Sequence, residues 1–120
     1  MSFKSNLINI VLVETSHPGN IGSVARAMKT MGLSELSLVN PRKFPSGEAN
    51  ALSGNATDVL ENAKIFDSIE DAIKDSTFVY ATSSRSRTIQ WPTVHAEEGA
   101  SLINNQVSSQ KKVSILFGRE

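Results

Sequence analysis

The 120-residue sequence contains no cysteine. That absence excludes disulfides and thiolate metal sites, and it fits a cytoplasmic protein. Histidine is scarce as well: only His17 and His95 occur, and neither has a nearby carboxylate pattern suggesting zinc, so no metal is expected. No stretch approaches the roughly 20 apolar residues of a membrane-spanning helix, so no membrane partner is expected. The first residues, "MSFKSNLINIVLVE", lack a small-residue cleavage site and read as a first strand rather than a signal peptide. A G-x-S-x-G elbow is missing, which leaves Ser-His-Asp hydrolysis without its nucleophile. Net charge is absent too, with 12 basic against 12 acidic residues, and this argues against a surface that coats nucleic acid broadly.

Charge is nevertheless unevenly distributed. Residues 1–43 carry a balance of +3, residues 44–75 one of −5 and residues 76–120 one of +2. Between Asp75 and Glu97 the only charged side chains are Arg85 and Arg87. A polyanion can therefore be held locally by loops of a neutral protein. The acidic run over 58–75 reads most simply as a solvated helix face.

With 39% apolar residues, the chain is expected to form one α/β domain over residues 1–120. "LINIVLVE" (7–14), "LSLVN" (36–40), "FVYAT" (78–82) and "VSILF" (113–117) are short, β-branched and nearly continuously apolar, as strands buried on both faces would be. "KIF" (64–66) is a candidate fifth strand. Ile21, Val24, Ala25, Met28 and Met31 recur at helical spacing, Gly32 follows as a left-handed cap, and Asn20 is a good N-cap. A second helix is expected in "DSIEDAIKD", capped by Ser68, and a weaker one in "EEGASLINNQ". "NPRKFPSGEANAL" (40–52) reads as a long connection. Alternating strands and helices predict a Rossmann-like parallel sheet flanked by helices.

Ligands of such sheets gather at the carboxyl ends of the strands. Three loops leave those ends: Thr15 to Asn20, Thr82 to Pro92, and the residues after Phe117. "GNIGSVAR" has neither the P-loop spacing nor the dinucleotide fingerprint, so Gly19 and Gly22 can simply allow a tight turn and close packing of helix on strand. Arg26 is expected on the first turns of that helix, near its anion-favouring N-terminus. "ATSSRSRTIQWP" combines four hydroxyl side chains with Arg85 and Arg87, whose forked donors suit phosphate, and with Trp91, which can stack on a base. The bland alternative is a polar loop anchored by Trp91.

Together, "ETSHPGNIGSVARAMKTMGLSELSLVNP", "ATSSRSRTIQWP" and "SILFGRE" closely resemble the SPOUT superfamily of RNA methyltransferases. Within it they are most similar to the TrmH-like 2′-O-methyltransferases, whose N-x-G-x-x-x-R pattern stands here as Asn20, Gly22 and Arg26. The resemblance spans nearly the whole chain. It implies a parallel sheet followed by a C-terminal trefoil knot, and a homodimer. It also implies S-adenosyl-L-methionine-dependent methylation of a ribose 2′-hydroxyl in the tRNA anticodon loop, at cytidine or uridine 32. Carried over by position, Arg26 is the catalytic arginine, supported by Asn20, and Glu120 closes the second family motif at the same site. Thr82, Ser83, Ser84 and Gly118 line the cofactor pocket, while Arg85 and Arg87 are expected to hold tRNA phosphates. Relatives usually have glycine at the position of Ala81, and often alanine at that of Ser84. Ala81 is compatible with the site only if its φ is negative. The family's third motif, which completes knot and pocket, falls beyond Glu120. The chain as it stands is therefore expected to be incomplete and inactive by itself. Readings of other kinds are a non-catalytic RNA-binding module of the same fold, a TrmH-like enzyme acting on rRNA, and a nucleotide-binding regulatory domain.

Overall fold

A computed structural model describes residues 5–82 and 95–118. After a short 3-10 turn, Ser5–Leu7, the strands are β1 (Ile8–Val13), β2 (Glu35–Val39), β3 (Lys64–Phe66), β4 (Phe78–Ala81) and β5 (Val113–Phe117). The helices are α1 (Pro18–Thr30), α2 (Gly47–Leu52), α3 (Thr57–Glu61), α4 (Ile69–Ile73) and α5 (Ala96–Ser108). All five strands pair in parallel, in the order β3-β2-β1-β5-β4.

That order follows from the handedness of the connections. Crossovers between parallel strands are right-handed, so the direction of a step across the sheet decides which face its helix covers. The steps β1 to β2, β2 to β3 and β4 to β5 run in one direction, and α1, α2, α3 and α5 accordingly supply residues to one core. There Ile8, Ile10, Leu12 and Leu38 meet Ile21, Ala25, Met28, Ala49, Val59, Leu60 and Val107. The step from β3 to β4 runs back across the sheet, so α4 covers the other face, the only helix there among the described residues, with its Ala72 over Val11 and Val39. β1 lies at the centre and is buried on both faces, as its nearly continuous apolar run predicts. β4 departs from that expectation. It is an edge strand with alternating exposure, and Val79 is 43% exposed because a five-residue helix cannot cover the whole sheet.

Local chemistry accounts for most element ends. α1 starts at Pro18, whose fixed φ and missing N–H suit the first helical position. Asn20 thus lies inside the first turn, and His17 stands at the cap, which corrects the expectation for Asn20. The helix stops in a Schellman arrangement: Gly32 at φ +76° donates to Lys29 O, and Leu33 N donates to Met28 O. Met31 does not join the buried stripe, being 61% exposed where the helix unwinds. Ser46 caps α2, its hydroxyl accepting from Glu48 N at 3.1 Å, so the segment read as a connection holds a helix. Ser68 caps α4 as expected, accepting from Asp71 N at 3.2 Å. Ala81 is not among the positive-φ residues, which meets the condition set on it.

One polar ladder crosses the face under α4. Asn9 on the central strand donates to Ser114 Oγ on β5 (3.1 Å) and to Ala72 O on α4 (3.2 Å), and it accepts from Ser37 Oγ on β2 (2.7 Å). Ser76 in turn shares a hydrogen bond with Ser114. Asn9, Ser37 and Ser114 are all buried, and among the described residues every buried side-chain polar atom has a partner. Asn9→Ala would take the partner from the Ser37 hydroxyl and from Ala72 O at once, while Ser114 keeps its bond to Ser76. Leaving a buried polar group unsatisfied costs about 1–3 kcal/mol, so urea denaturation is expected to show at least that loss. An unchanged denaturation midpoint would mean that water replaces the amide at no cost.

Candidate functional site

The last strand, β5, takes its place beside the first, β1, and the carboxyl ends of these central strands open on the edge where an open parallel sheet binds ligands. From β1 the chain leaves through Glu14 in a left-handed conformation (φ 53°), and Glu14 N donates to Val39 O at 2.8 Å. Thr15 is buried and its carbonyl accepts from Arg42 N, so the loops after β1 and β2 are tied together. Asn40, also left-handed, joins the loop after β3 through its side-chain amide, which donates to Asp67 O at 3.0 Å. On the other side of this edge, Thr82 donates to Leu116 O twice, from its backbone N (3.0 Å) and from its hydroxyl (3.1 Å). The exit of β4 is thereby clamped to β5, two residues before Gly118. Gly118 has open space where a side chain would stand, and Phe117 beside it is 40% exposed.

The stretch "GNIGSVAR" has a different task from a phosphate-binding turn. A Cβ on Gly22 would lie 2.1 Å from the carbonyl oxygen of Ala49 and 3.1 Å from Ser53 N, so α1 and α2 touch backbone to backbone there. The close approach expected between helix and strand is in fact between helix and helix. Arg26 lies four residues on from Gly22, on the same face of α1. Its side chain runs over Gly54 in the turn after α2, where Cδ, Nε and Cγ stand 3.6, 3.7 and 3.9 Å from the position of a Cβ. Arg26 as a whole is exposed. One turn further on, Lys29 pairs with Asp58 on α3 at 2.8 Å and holds that exposed carboxyl below its usual carboxylate value.

Thr82 and Gly118 therefore meet at one edge of the sheet, as expected of them. Arg26 does not join them within one chain. It stands in the third turn of α1, eight residues and about 12 Å along the helix from Pro18, and not at the anion-favouring end. Asn20 is exposed on the first turn, between the two. Ser83, Ser84, Arg85, Arg87, Trp91 and Glu120 lie outside the described residues.

A shallow cleft also opens at the opposite, amino-terminal ends of the strands, lined by Asn9, Ser37, Lys64, Asp71, Ser76 and Lys112 among others. Three lysines and three acids balance around it, so it has no preference for an anion. Among the described residues no group of three His, Asp or Glu side chains could hold a metal ion, and no helix is long and apolar enough to cross a membrane.

Comparison with known proteins bears on the same residues. The model of the SpoU rRNA Methylase family matches residues 7–120. The tRNA (cytidine/uridine-2′-O-)-methyltransferase TrmJ of Sodalis glossinidius is 51% identical over 113 residues, covering 94% of this chain and 44% of its own. The tRNA (cytidine/uridine/adenosine-2′-O-)-methyltransferase TrmJ of Pseudomonas aeruginosa is 47% identical over 113 residues, with the same coverage, 94% and 44%. The crystal structure of TrmJ from Z. mobilis ZM4 superposes with a TM-score of 0.87 at 38% identity, over 93% of this chain and 49% of that one. The chain thus spans somewhat less than half the length of these relatives. A match that runs from the start of β1 through β5, on a five-stranded parallel sheet of the same shape, is decisive at the level of family: the chain belongs to the SpoU methylase family, within the TrmH-like SPOUT methyltransferases.

Proposed function

We propose that the protein carrying this chain is an S-adenosyl-L-methionine-dependent RNA methyltransferase that methylates a ribose 2′-hydroxyl of tRNA, in the anticodon loop at cytidine or uridine 32. The observation that carries the reading is the roughly half-identical match to tRNA 2′-O-methyltransferases across 94% of the chain. The proposal includes action in the cytoplasm as a homodimer.

The described residues at the β1–β5 edge fit such a cofactor. Phe117 offers an exposed apolar surface beside Gly118, which has no side chain to cover it. Thr82 is clamped to Leu116 O beside it. Thr82 and Gly118, with Ser83 and Ser84 from the same loop, would hold the cofactor. S-adenosyl-L-methionine supplies an electrophilic methyl group on a sulfonium. The acceptor hydroxyl has to be aligned with that methyl group and to lose its proton, and alignment alone can supply several kcal/mol. Arginine keeps its proton at neutral pH, so Arg26 acts as a fixed cation: it grips an RNA phosphate and stabilises the negative charge growing on the 2′-oxygen. Glu120 orients the site, and Arg85 and Arg87 hold further phosphates. In one chain Arg26 stands apart from Thr82 and Gly118. A homodimer resolves that separation, because the exposed Ser23–Arg26–Thr30 side of α1 is open to a second copy.

Transfer of labelled methyl groups from S-adenosyl-L-methionine into unmodified tRNA, with the full-length gene product, tests the reading. Label confined to a 2′-O-methylated anticodon-loop nucleotide is the expected result. Label in rRNA and not in tRNA would move the protein to another branch of the family. RNA binding without any transfer would make it a non-catalytic module.

A further inference from the structure

We propose that Gly54 is a positioning residue that sets the reach of Arg26, an inference that rests on the role given to Arg26 above. Gly54 lies in the turn between α2 and α3 with φ +61°, a conformation that L side chains rarely adopt. The stem of Arg26 runs across it, with three side-chain atoms 3.6–3.9 Å from the place a Cβ would take. A bare backbone surface at this point lets the stem lie flat while Arg26 as a whole stays exposed.

The turn is fixed relative to α1 on both sides of Gly54. Before it, α2 touches Gly22 backbone to backbone, and the fully buried Ser53 donates its hydroxyl to Asn50 O at 2.8 Å. After it, Ala56 is fully buried and donates to Ser53 O at 3.0 Å, and Asp58 pairs with Lys29 of α1. Gly22 and Arg26 share one face of α1, so the contact that brings α2 close also slides the Gly54 turn beneath the arginine. An arginine on an exposed helix surface has many rotamers, and a rigid floor removes those that fold back onto the helix.

Gly32 provides an internal contrast. It too is left-handed, at φ +76°, but nothing lies within 4 Å of its missing Cβ. The two glycines make the same demand on the backbone, and only Gly54 faces Arg26.

The test compares Gly54→Ala and Gly54→Asn with Gly32→Ala and Gly32→Asn in the full-length protein. Asparagine tolerates the left-handed region, so Gly54→Asn keeps the turn but inserts a side chain under Arg26. Both Gly54 variants are expected to lose on the order of tenfold to a hundredfold in kcat for tRNA methylation, the scale of a small misplacement of a reacting group, with KM for the cofactor unchanged. The Gly32 variants are expected to melt earlier but to keep kcat. The NMR resonance of the Arg26 Nε–H, assigned by its loss in Arg26→Lys, should move in the Gly54 variants and stay in the Gly32 variants. Wild-type kcat in Gly54→Asn, or an Arg26 resonance that does not move, would each overturn the proposal. Should the wild-type protein transfer no methyl group, the functional reading fails by itself, and the resonance still decides whether Gly54 governs Arg26.

Discussion

Replacing Arg26 with alanine is expected to remove most methyl transfer to tRNA while leaving the protein folded. Arg26 is exposed, and the buried stripe of α1 is carried by Ile21, Ala25 and Met28, so neither the core nor the packing of helix on sheet depends on it. Its described packing is over Gly54, a contact with backbone rather than with the apolar core. Taking away one group that stabilises developing charge costs about 3–4 kcal/mol in the transition state, a factor of roughly 10² to 10³ in rate. Arg26→Lys should recover part of this, since it restores the charge but not the planar fork that holds a phosphate at two points. Single-turnover methylation alongside a thermal melt separates chemistry from folding. Normal turnover in a well-folded Arg26→Ala protein would take the arginine out of the mechanism.

Gly22→Ala is expected to be the most damaging of the small substitutions for stability. Two effects oppose each other. Alanine is better than glycine inside a helix by about 1 kcal/mol. Against that, the new methyl group would stand 2.1 Å from Ala49 O, which belongs to the backbone and cannot rotate aside. α2 must then move away from α1, taking with it the buried Ala49 and Ser53. Overpacking of this kind costs about 1–3 kcal/mol and rises with the size of the side chain, so Gly22→Val should be worse still. Gly47→Ala is the matched control, because Gly47 begins α2 with nothing within 4 Å of its missing Cβ. A substitution that the backbone accepts without strain is neutral or mildly stabilising. Urea denaturation of both variants gives the comparison, and equal stability would mean that α1 and α2 can separate freely.

The same displacement would carry the Gly54 turn away from Arg26. Gly22→Ala is therefore expected to lower activity even at temperatures where the protein remains folded. Stability and catalysis meet in this one helix contact because Gly22 and Arg26 occupy successive turns on one face of α1.

The sequence by itself determined the elements and the family. Strands buried on both faces are written as nearly continuous apolar runs, and "LINIVLVE", "LSLVN" and "VSILF" are such runs, each broken by one residue of the polar ladder, because β1, β2 and β5 occupy the middle of the sheet. Gly32, Ser68 and the helical stripe at Ile21, Ala25 and Met28 are equally local signals, set by backbone conformation and by periodicity within one element. Three spaced motifs were enough to place the chain among the TrmH-like methyltransferases. The cap of α1 was misread because asparagine and proline both mark helix starts, and proline at the first position decided the matter three residues earlier than Asn20 suggested. α2 was hidden in a connection whose prolines and glycine outweighed a six-residue helix on local evidence.

Only the tertiary structure decided the rest, since it concerns distances between elements far apart in the chain. Nothing local distinguishes "FVYA" at an edge from a central strand; the direction of the step from β3 to β4 sends it there and leaves α4 as its face's only helix among the described residues. The spacing of Gly22 and Arg26 is visible in one line of sequence, but the partners of each, Ala49 and Gly54, come from a segment with no periodic link to α1. The placing of Arg26 has the same origin: a helix rises 1.5 Å per residue, so eight residues inside α1 carry the arginine about 12 Å along the helix from Pro18, over the Gly54 turn.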